Sequence, residues 1–306
     1  MAKLRKQKKA WPFYLVVGLI VLALPVGYFF LLGEPPATPL VVAPPPVAQA
    51  VELRLAKVEG EVLLKKGDGG WAVAKEGDVL DPSDGVRTSD GSYAVLVGGE
   101  SYEVKMEPGT EISVSELSAS ISKLLLANGM ATAKVKGGTK HTFEVRAKDT
   151  DAVARTQAGT FAISSNGAGT VAVGTREGEV EFLGSGKVVI VRAGQQSVVR
   201  PGQAPTDPAP IPSSLLLKVE MPSGVVRTRT IQVAGRVEVG AQVQIAGGVV
   251  HVDENGNFSR EMKLNEGKNQ VDIKAVTVGG LEGGDVHEVG LKTTVKKATV
   301  DPNLWK

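Results

Sequence analysis

The sequence predicts an all-β chain behind one apolar N-terminal helix, and three observations predict it. Glycine supplies 37 of 306 residues and aromatics only 5%, against an ordinary glycine share of about 7%, which suits many short strands and tight turns. Between residues 51 and 297 apolar and polar residues alternate over short runs broken by glycine or by steps such as Asp90-Gly91, the pattern of half-buried strands. The one long uncharged run, Trp11 to Gly33, stands apart near the N-terminus.

That run is 23 residues long and as a helix would reach roughly 34 Å, enough to cross a hydrocarbon core of about 30 Å. Five cations precede it (Lys3, Arg5, Lys6, Lys8 and Lys9), Trp11 and Tyr14 lie at one end and Tyr28 at the other. This is the arrangement of an anchor with its basic tail, 1–10, in the cytoplasm and aromatic rings at the interfaces. A cleaved export signal has a shorter apolar region, closely followed by small residues, whereas Ala48-Gln49-Ala50 lies far beyond Gly33. The expectation is therefore a retained single-pass anchor over 11–33 with the lipid bilayer as partner. The bulk of the chain would lie on the periplasmic side of an inner membrane.

Residues 34–50 hold six prolines and 201–214 hold five, so 34–50 and 201–212 read as semi-rigid spacers. They divide the remainder into bodies at 51–200 and 213–297, with a tail at 298–306. In the first body "GEVLLKK", "SYAVLVGG", "SYEVKM", "HTFEVRA" and "GEVEFLG" read as strands. Residues 115–127 fit a helix through Leu117, Ile121 and Leu124, yet also alternate with period two before the turn pair Asn128-Gly129; strand is the preferred reading. In the second body Asn255-Gly256 is expected to close a hairpin between "GVVHV" and "FSREMKL" within a sandwich of about seven strands.

The composition excludes several function classes. Residues 1–50 hold five basic residues and one acidic, Glu34, leaving 30 basic and 32 acidic residues and a charge of about −2 over 51–306. Without a basic face there is no footprint for nucleic acid. The chain has no cysteine, and so no disulfide, thiolate metal site or cysteine nucleophile. His141, His251 and His287 have no second histidine at ligand spacing,. "GAGTVA" (167–172) is followed by strand-like residues where a dinucleotide fingerprint needs a helix. "GSGK" (184–187) lacks the hydroxyl residue of a phosphate loop, since Val188 follows it. "DENGN" (253–257) has Phe258 where a calcium loop turns on glycine. All three read as turns. No metal, cofactor or catalytic group is expected, and the chain reads as non-enzymatic.

The order of blocks in the first body carries a resemblance. "VEGEVLLKKGDGGWAVAKEGDVLDPSDGVRTSDGSYAVLVGGESYEVKMEPGTEISV", then "TFEVRAKDTDAVARTQAGTFAIS", "TVAVGTREGEVEF" and "VRAGQQ", resemble a FecR-type domain, which implies a β-roll or jelly-roll-like fold. Ala147-Lys148 replaces the family's Thr-Pro, and Ala158 stands where the family has arginine. The second body resembles bacterial immunoglobulin-like modules of the glucodextranase B type. The resemblance rests on Val233-x-Gly235, Gly240-Ala241-x-Val243, Asn255-Gly256-x-Phe258 and Leu264-x-Glu266-Gly267-x-Asn269.

The FecR resemblance implies a regulatory or assembly role through contact with an envelope protein. With only about ten residues before the apolar run, the cytoplasmic domain that controls sigma factors in that family is not expected. Trp71 and Trp305 are the candidate partner contacts. A cell-envelope glycan, peptidoglycan or polysaccharide, is the alternative partner, though few exposed aromatics are on offer to stack on sugar rings.

Overall fold

The computed structural model of the 306-residue chain describes residues 14–22, 51–138 and 140–293. A short helix, α1, covers residues 14–22, and the rest is strand and turn.

The anchor expected over 11–33 is overturned. The nine residues of α1 reach only about 14 Å, and no helix of the described residues is long and apolar enough to cross a membrane. Hydropathy states which solvent a run prefers; it does not guarantee an unbroken helix. Gly18 sits inside α1, where glycine is less favourable than alanine by about 1 kcal/mol. The fold class is corrected to all-β with one short helix among the described residues, and the bilayer partner and the inner-membrane and periplasmic placement fall with the anchor. Lys3, Arg5, Lys6, Lys8, Lys9, Trp11 and Tyr28 lie outside the described residues; Tyr14 is an exposed residue of α1.

The strands of the first body follow in chain order. They begin with β1 (Leu53–Glu59), β2 (Val62–Lys65), β3 (Trp71–Val73), β4 (Val79–Leu80), β5 (Gly85–Thr88), β6 (Tyr93–Gly98), β7 (Tyr102–Met106) and β8 (Glu111–Leu117). Then come β9 (Ile121–Val135), β10 (Thr142–Ala147), β11 (Val153–Thr156), β12 (Gly159–Ser165), β13 (Val171–Gly184), β14 (Lys187–Arg192), β15 (Gln195–Val199) and β16 (Ala209–Pro210).

Their pairing makes two faces that share two long strands. One face runs β4-β1-β6-β7-β9-β12-β13-β15-β16; the other runs β3-β2-β5-β8-β9-β10-β11-β13-β14. The C-terminal half of β9 pairs in the first face and its N-terminal half in the second, and β13 crosses in the opposite sense. Residues 115–127 are thus strand and turn. Asn128-Gly129 is no hairpin but the place where β9 changes sheets. Gly129 has φ +95, and a Cβ there would lie 2.5 Å from the Cα of Thr110.

Between the faces Leu53, Leu96, Val104, Ile112, Leu124, Val145, Phe182 and Val191 are buried. Each contributes on the order of 1.5–3 kcal/mol by leaving water. Tyr102, Phe143 and Phe161 form an aromatic chain across this core, with centroids 4.6 and 6.2 Å apart. The turn at Ser185-Gly186, both with positive φ, is the two-residue kind that matches strand twist.

The second body holds β17 (Leu217–Glu220), β18 (Gly224–Val226), β19 (Thr230–Val237), β20 (Gln242–Ile245), β21 (Gly248–Val250), β22 (Asn257–Lys263), β23 (Gly267–Val276) and β24 (Glu282–Leu291). They form a three-stranded sheet, β17-β19-β22, and a five-stranded sheet, β18-β24-β23-β20-β21, over a core that includes Val233, Val243, Phe258, Val271 and Ile273. The hairpin expected at Asn255-Gly256 shrinks to a single bridge, Val252 to Phe258. The turn is real, but β21 and β22 belong to different sheets. Turn chemistry marks where the chain reverses, not which strand it then joins.

Residues 201–212, expected to be a spacer, lie against the first body. Thr206 bonds Ser197 and Val198, β16 pairs with β15, and Ile211 N donates to Gly194 O at 2.9 Å.

Candidate interaction surfaces

The candidate edge is built around β3. Among the described residues it pairs with β2 alone, so one side of it carries no backbone partner from them. Alternation puts Trp71 and Val73 on one face, opposite Lys65 and Leu63 of β2. Val73 is 72% exposed and Trp71 half-buried.

Two strands further in, Gly85 leaves room for the indole: a Cβ there would lie 3.4 Å from the Trp71 ring. Arg87 lays its guanidinium over the ring, 4.3 Å from the centroid. It is held there by Glu111, with Nε and Nη2 at 2.8 and 2.7 Å from Oε2. The indole is thus fixed by a cation on its face, and that face is not open to a flat ligand.

The loop from β2 into β3 is pinned by a buried carboxylate. Asp84 accepts from Gly67 N at 2.9 Å, from Asp81 N at 2.8 Å and from Lys66 Nζ at 2.6 Å. Burial pushes its pKa upward, but the backbone donor of Asp81, Lys66 and Gly67 together outweigh that and hold it below the ordinary carboxylate range,.

A second surface is already occupied. The outward side of the first face, Ala162, Ala172 and Met130, is buried together with Val278, with Val198 and Val276 packed against them. Six polar contacts cross the same seam. Ser164 Oγ donates to Gly240 O at 2.7 Å, Gln242 Nε2 to Pro108 O at 2.6 Å, Asn166 Nδ2 to Val252 O at 3.2 Å and Val249 N to Asp90 Oδ1 at 3.0 Å. Gln196 bonds Glu238 at 2.6 Å and Arg200 bonds Glu254 O at 3.3 Å.

Sequence reading missed this seam, although a signal existed. "FAISS" and "VAVGT" are buried at every position, and runs with no polar alternate are the mark of strands covered on both sides. Beside the seam lies a cleft of about 200 Å³ lined from both bodies, by Asn128, Ser164, Asn166 and Thr170 on one side and Gln242 and Val250 on the other.

Of the remaining residues singled out by sequence, Trp305 lies outside the described residues. His141 is buried, with Nδ1 3.1 Å from Ala119 O and Nε2 3.0 Å from Ser122 Oγ, and it stacks on Tyr102 at 5.8 Å. His251 is exposed and His287 half-buried. Among the described residues no cluster of three or more histidines and carboxylates is placed to hold a metal ion. "GAGTVA" is a turn leading into β13, and 253–256 is a turn organised by Asp253, whose Oδ1 accepts from Asn255 N and Asn257 N, both at 2.8 Å.

Residues 84–181 match the FecR protein family, so the first body contains a FecR-domain region. FecR domains are non-catalytic, and the chain is non-enzymatic. No curated protein matches the sequence.

Among solved structures, a Parabacteroides distasonis protein described as an anti-sigma factor is 19% identical over 40% of this chain and 59% of its own, with a TM-score of 0.35. Fibronectin(III)-like modules of Clostridium thermocellum CbhA are 12% identical over 60% of this chain and 94% of theirs, with a TM-score of 0.21. At such scores neither likeness carries an argument about fold or function.

Proposed function

We propose that this chain is a non-enzymatic protein-binding module of FecR type, and that it takes an extended partner segment at the free edge of β3. On this reading a FecR-like body over 51–200 and an immunoglobulin-like sandwich of glucodextranase B type over 213–297 act together. The first presents the edge and the second braces the opposite face. One observation carries the reading: β3 is a short edge strand whose exposed face offers Trp71 and Val73, and an ordered pair behind it, Arg87 and Glu111, fixes the indole. A partner adding as a strand gains backbone hydrogen bonds from the edge and selectivity from side chains at alternate positions.

The test is site-specific photo-crosslinking from position 73 of the full chain in living cells, with position 286 of the second body, also exposed, as the control. A discrete adduct from 73 that is absent from 286 and lost on Trp71→Pro, which removes an N–H directed away from β2 together with the indole, supports the edge. Equal adducts from both positions, or adducts indifferent to Trp71→Pro, overturn it.

A further inference from the structure

The second body meets the first by one end of its strands. Gly240, Val252, Glu254 and Val278, in or beside the turns at that end, contribute to the seam. The opposite end, where β19 and β23 begin and β22 and β24 finish, carries Arg227, Arg229, Lys263, Lys268 and Lys292, all exposed. The ten residues of β23, at about 3.3 Å each, hold it roughly 30 Å from the seam.

These cations come from separate stretches of sequence, and strand pairing gathers them. Val226 stands opposite Leu291, and Lys292 N donates to Val226 O at 3.0 Å, so Arg227 and Lys292 follow side by side. Leu264 N donates to Arg229 O at 2.8 Å and Lys263 pairs with Thr230, which sets Arg229 beside Lys263. Arg227 and Arg229 both lie in the short link from β18 to β19, so the two pairs are neighbours. The near-neutral count over 51–306 conceals this local excess.

The carboxylates at this end leave most of that charge unanswered. Glu288 holds Lys268 at 2.9 Å. Glu266 gives both oxygens to Thr293, accepting from its N–H at 2.9 Å and its hydroxyl at 2.8 Å. Those two bonds, and after them Arg229, hold its pKa below the usual carboxylate range. Glu261 lies two residues before Lys263. Among the described residues neither it nor Arg227, Arg229, Lys263 or Lys292 forms an ion pair. Uncompensated like charges on one surface favour an anionic partner.

The partner's class follows from what else this end offers. Phe258 is the second body's one phenylalanine, tyrosine or tryptophan among the described residues, and it is buried. No such ring is therefore exposed to stack on a base or a sugar. Among the described residues β18 pairs with β24 alone. Val226 turns its carbonyl toward β24, so by alternation Val225 and Arg227 turn their backbone groups to the open side. Val225 is also 70% exposed. An extended chain can add a strand to such an edge, whereas a bilayer or a double helix has no matching backbone groups.

We propose that this far end of the second body binds an acidic, extended segment of a partner protein, which adds along β18 and sets its carboxylates against Arg227 and Lys292, with Arg229 and Lys263 beyond them. The surface is separate from the β3 edge of the first body, so either contact can fail without the other.

The experiment titrates the full chain with an alternating Glu-Val octapeptide, its N-methylated form, a Lys-Val octapeptide, phosphatidylglycerol vesicles and duplex DNA. The expected result is saturable binding of the Glu-Val peptide that weakens as salt is raised. Affinity should fall at least tenfold on N-methylation of the peptide and at least tenfold in the Arg227→Glu, Lys292→Glu double variant. Lys218→Glu with Lys274→Glu makes the same change in net charge at exposed positions elsewhere on the second body and should leave affinity within twofold. Unchanged circular dichroism and unfolding midpoint report that both double variants are folded. Four outcomes overturn the proposal: no saturable binding, equal loss in the two double variants, indifference to N-methylation, or binding of the Lys-Val peptide, the vesicles or the DNA as tight as that of the Glu-Val peptide.

Discussion

Gly174 lies directly under the carbonyl of Val278: a Cβ built on Gly174 would sit 2.6 Å from that oxygen and 2.7 Å from its carbon. The outward side of β13 and the turn after β23 therefore meet backbone to backbone, with no space for a methyl group. Such contact cannot be relieved by a rotamer change, so Gly174→Ala must push the second body off the face. The expected cost is about 1–3 kcal/mol in denaturant unfolding, the scale of overpacking a tight interior. Protease sensitivity should rise within 201–214 as the seam opens. Unchanged stability together with unchanged cleavage would show that the seam is looser than this geometry.

Asp84 ties acid sensitivity to the candidate edge. Its folded pKa is depressed, so the stability it contributes is present above the unfolded carboxylate value of about 4 and is lost as pH falls through the lower folded value. The side chain is only 5% exposed, so screening by solvent removes little of the effect. Asp84→Asn should cost about 1–3 kcal/mol at pH 7, and the gap to wild type should close as pH is lowered toward 2. A gap independent of pH would mean that the carboxylate's charge plays no part in holding the β2 to β3 loop.

How much of this was legible in the sequence follows from what each signal measures. Alternation in "SYAVLVGG" and "GEVEFLG" reports one buried face, and both stretches are strands with that face inward. The turn signals at Ser185-Gly186 and Asp253 to Gly256 also held, because they depend on local backbone conformation.

Sheet membership was not legible. Asp90-Gly91 and Asn255-Gly256 both precede strands that leave for another sheet, a choice made by distant partners. Proline content suggested a spacer at 201–212, yet composition says nothing about whether a surface lies waiting alongside. The candidate edge was half visible. Trp71 stood out as a rare aromatic, whereas its support from Gly85, Arg87 and Glu111 depends on cross-strand register.

Tyr102 offers a spectroscopic check on the core. Burial pushes its hydroxyl up to about 12, with the Ser122 side chain acting the other way, and the phenolic oxygen makes no well-formed hydrogen bond. A pKa raised by folding means that the stability involved is intact below about 10, the unfolded value, and drains away as pH rises toward the folded one. In a titration of phenolate absorbance at least one tyrosine should lag until the fold gives way, and Tyr102→Phe should remove that lag. Because the hydroxyl has no partner, the same substitution should leave neutral-pH stability unchanged or raise it by up to about 1 kcal/mol. A loss larger than that would reveal a hydrogen bond absent from this geometry.

Ile211 decides whether the proline-rich tract is a brace or a tether. Its side chain occupies the space over Gly279, where a Cβ would fall 2.3 Å from Cγ2, while its N–H is held by Gly194 O. One residue therefore touches the turn after β23 in the second body and the β14 to β15 turn in the first. If the tract braces the two bodies, Ile211→Asp removes the apolar contact and sets a carboxylate against the seam, which costs more than the lost methyl groups alone. The prediction is a single unfolding transition for wild type that splits into two for Ile211→Asp, with the earlier one accompanied by cleavage in 201–214. Ile211→Val, which keeps the contact and trims one methyl, should stay single and lose only about 0.5–1.5 kcal/mol. A tether would behave differently: a spacer tolerates either substitution, so two variants indistinguishable from wild type would return 201–212 to the role its composition first suggested.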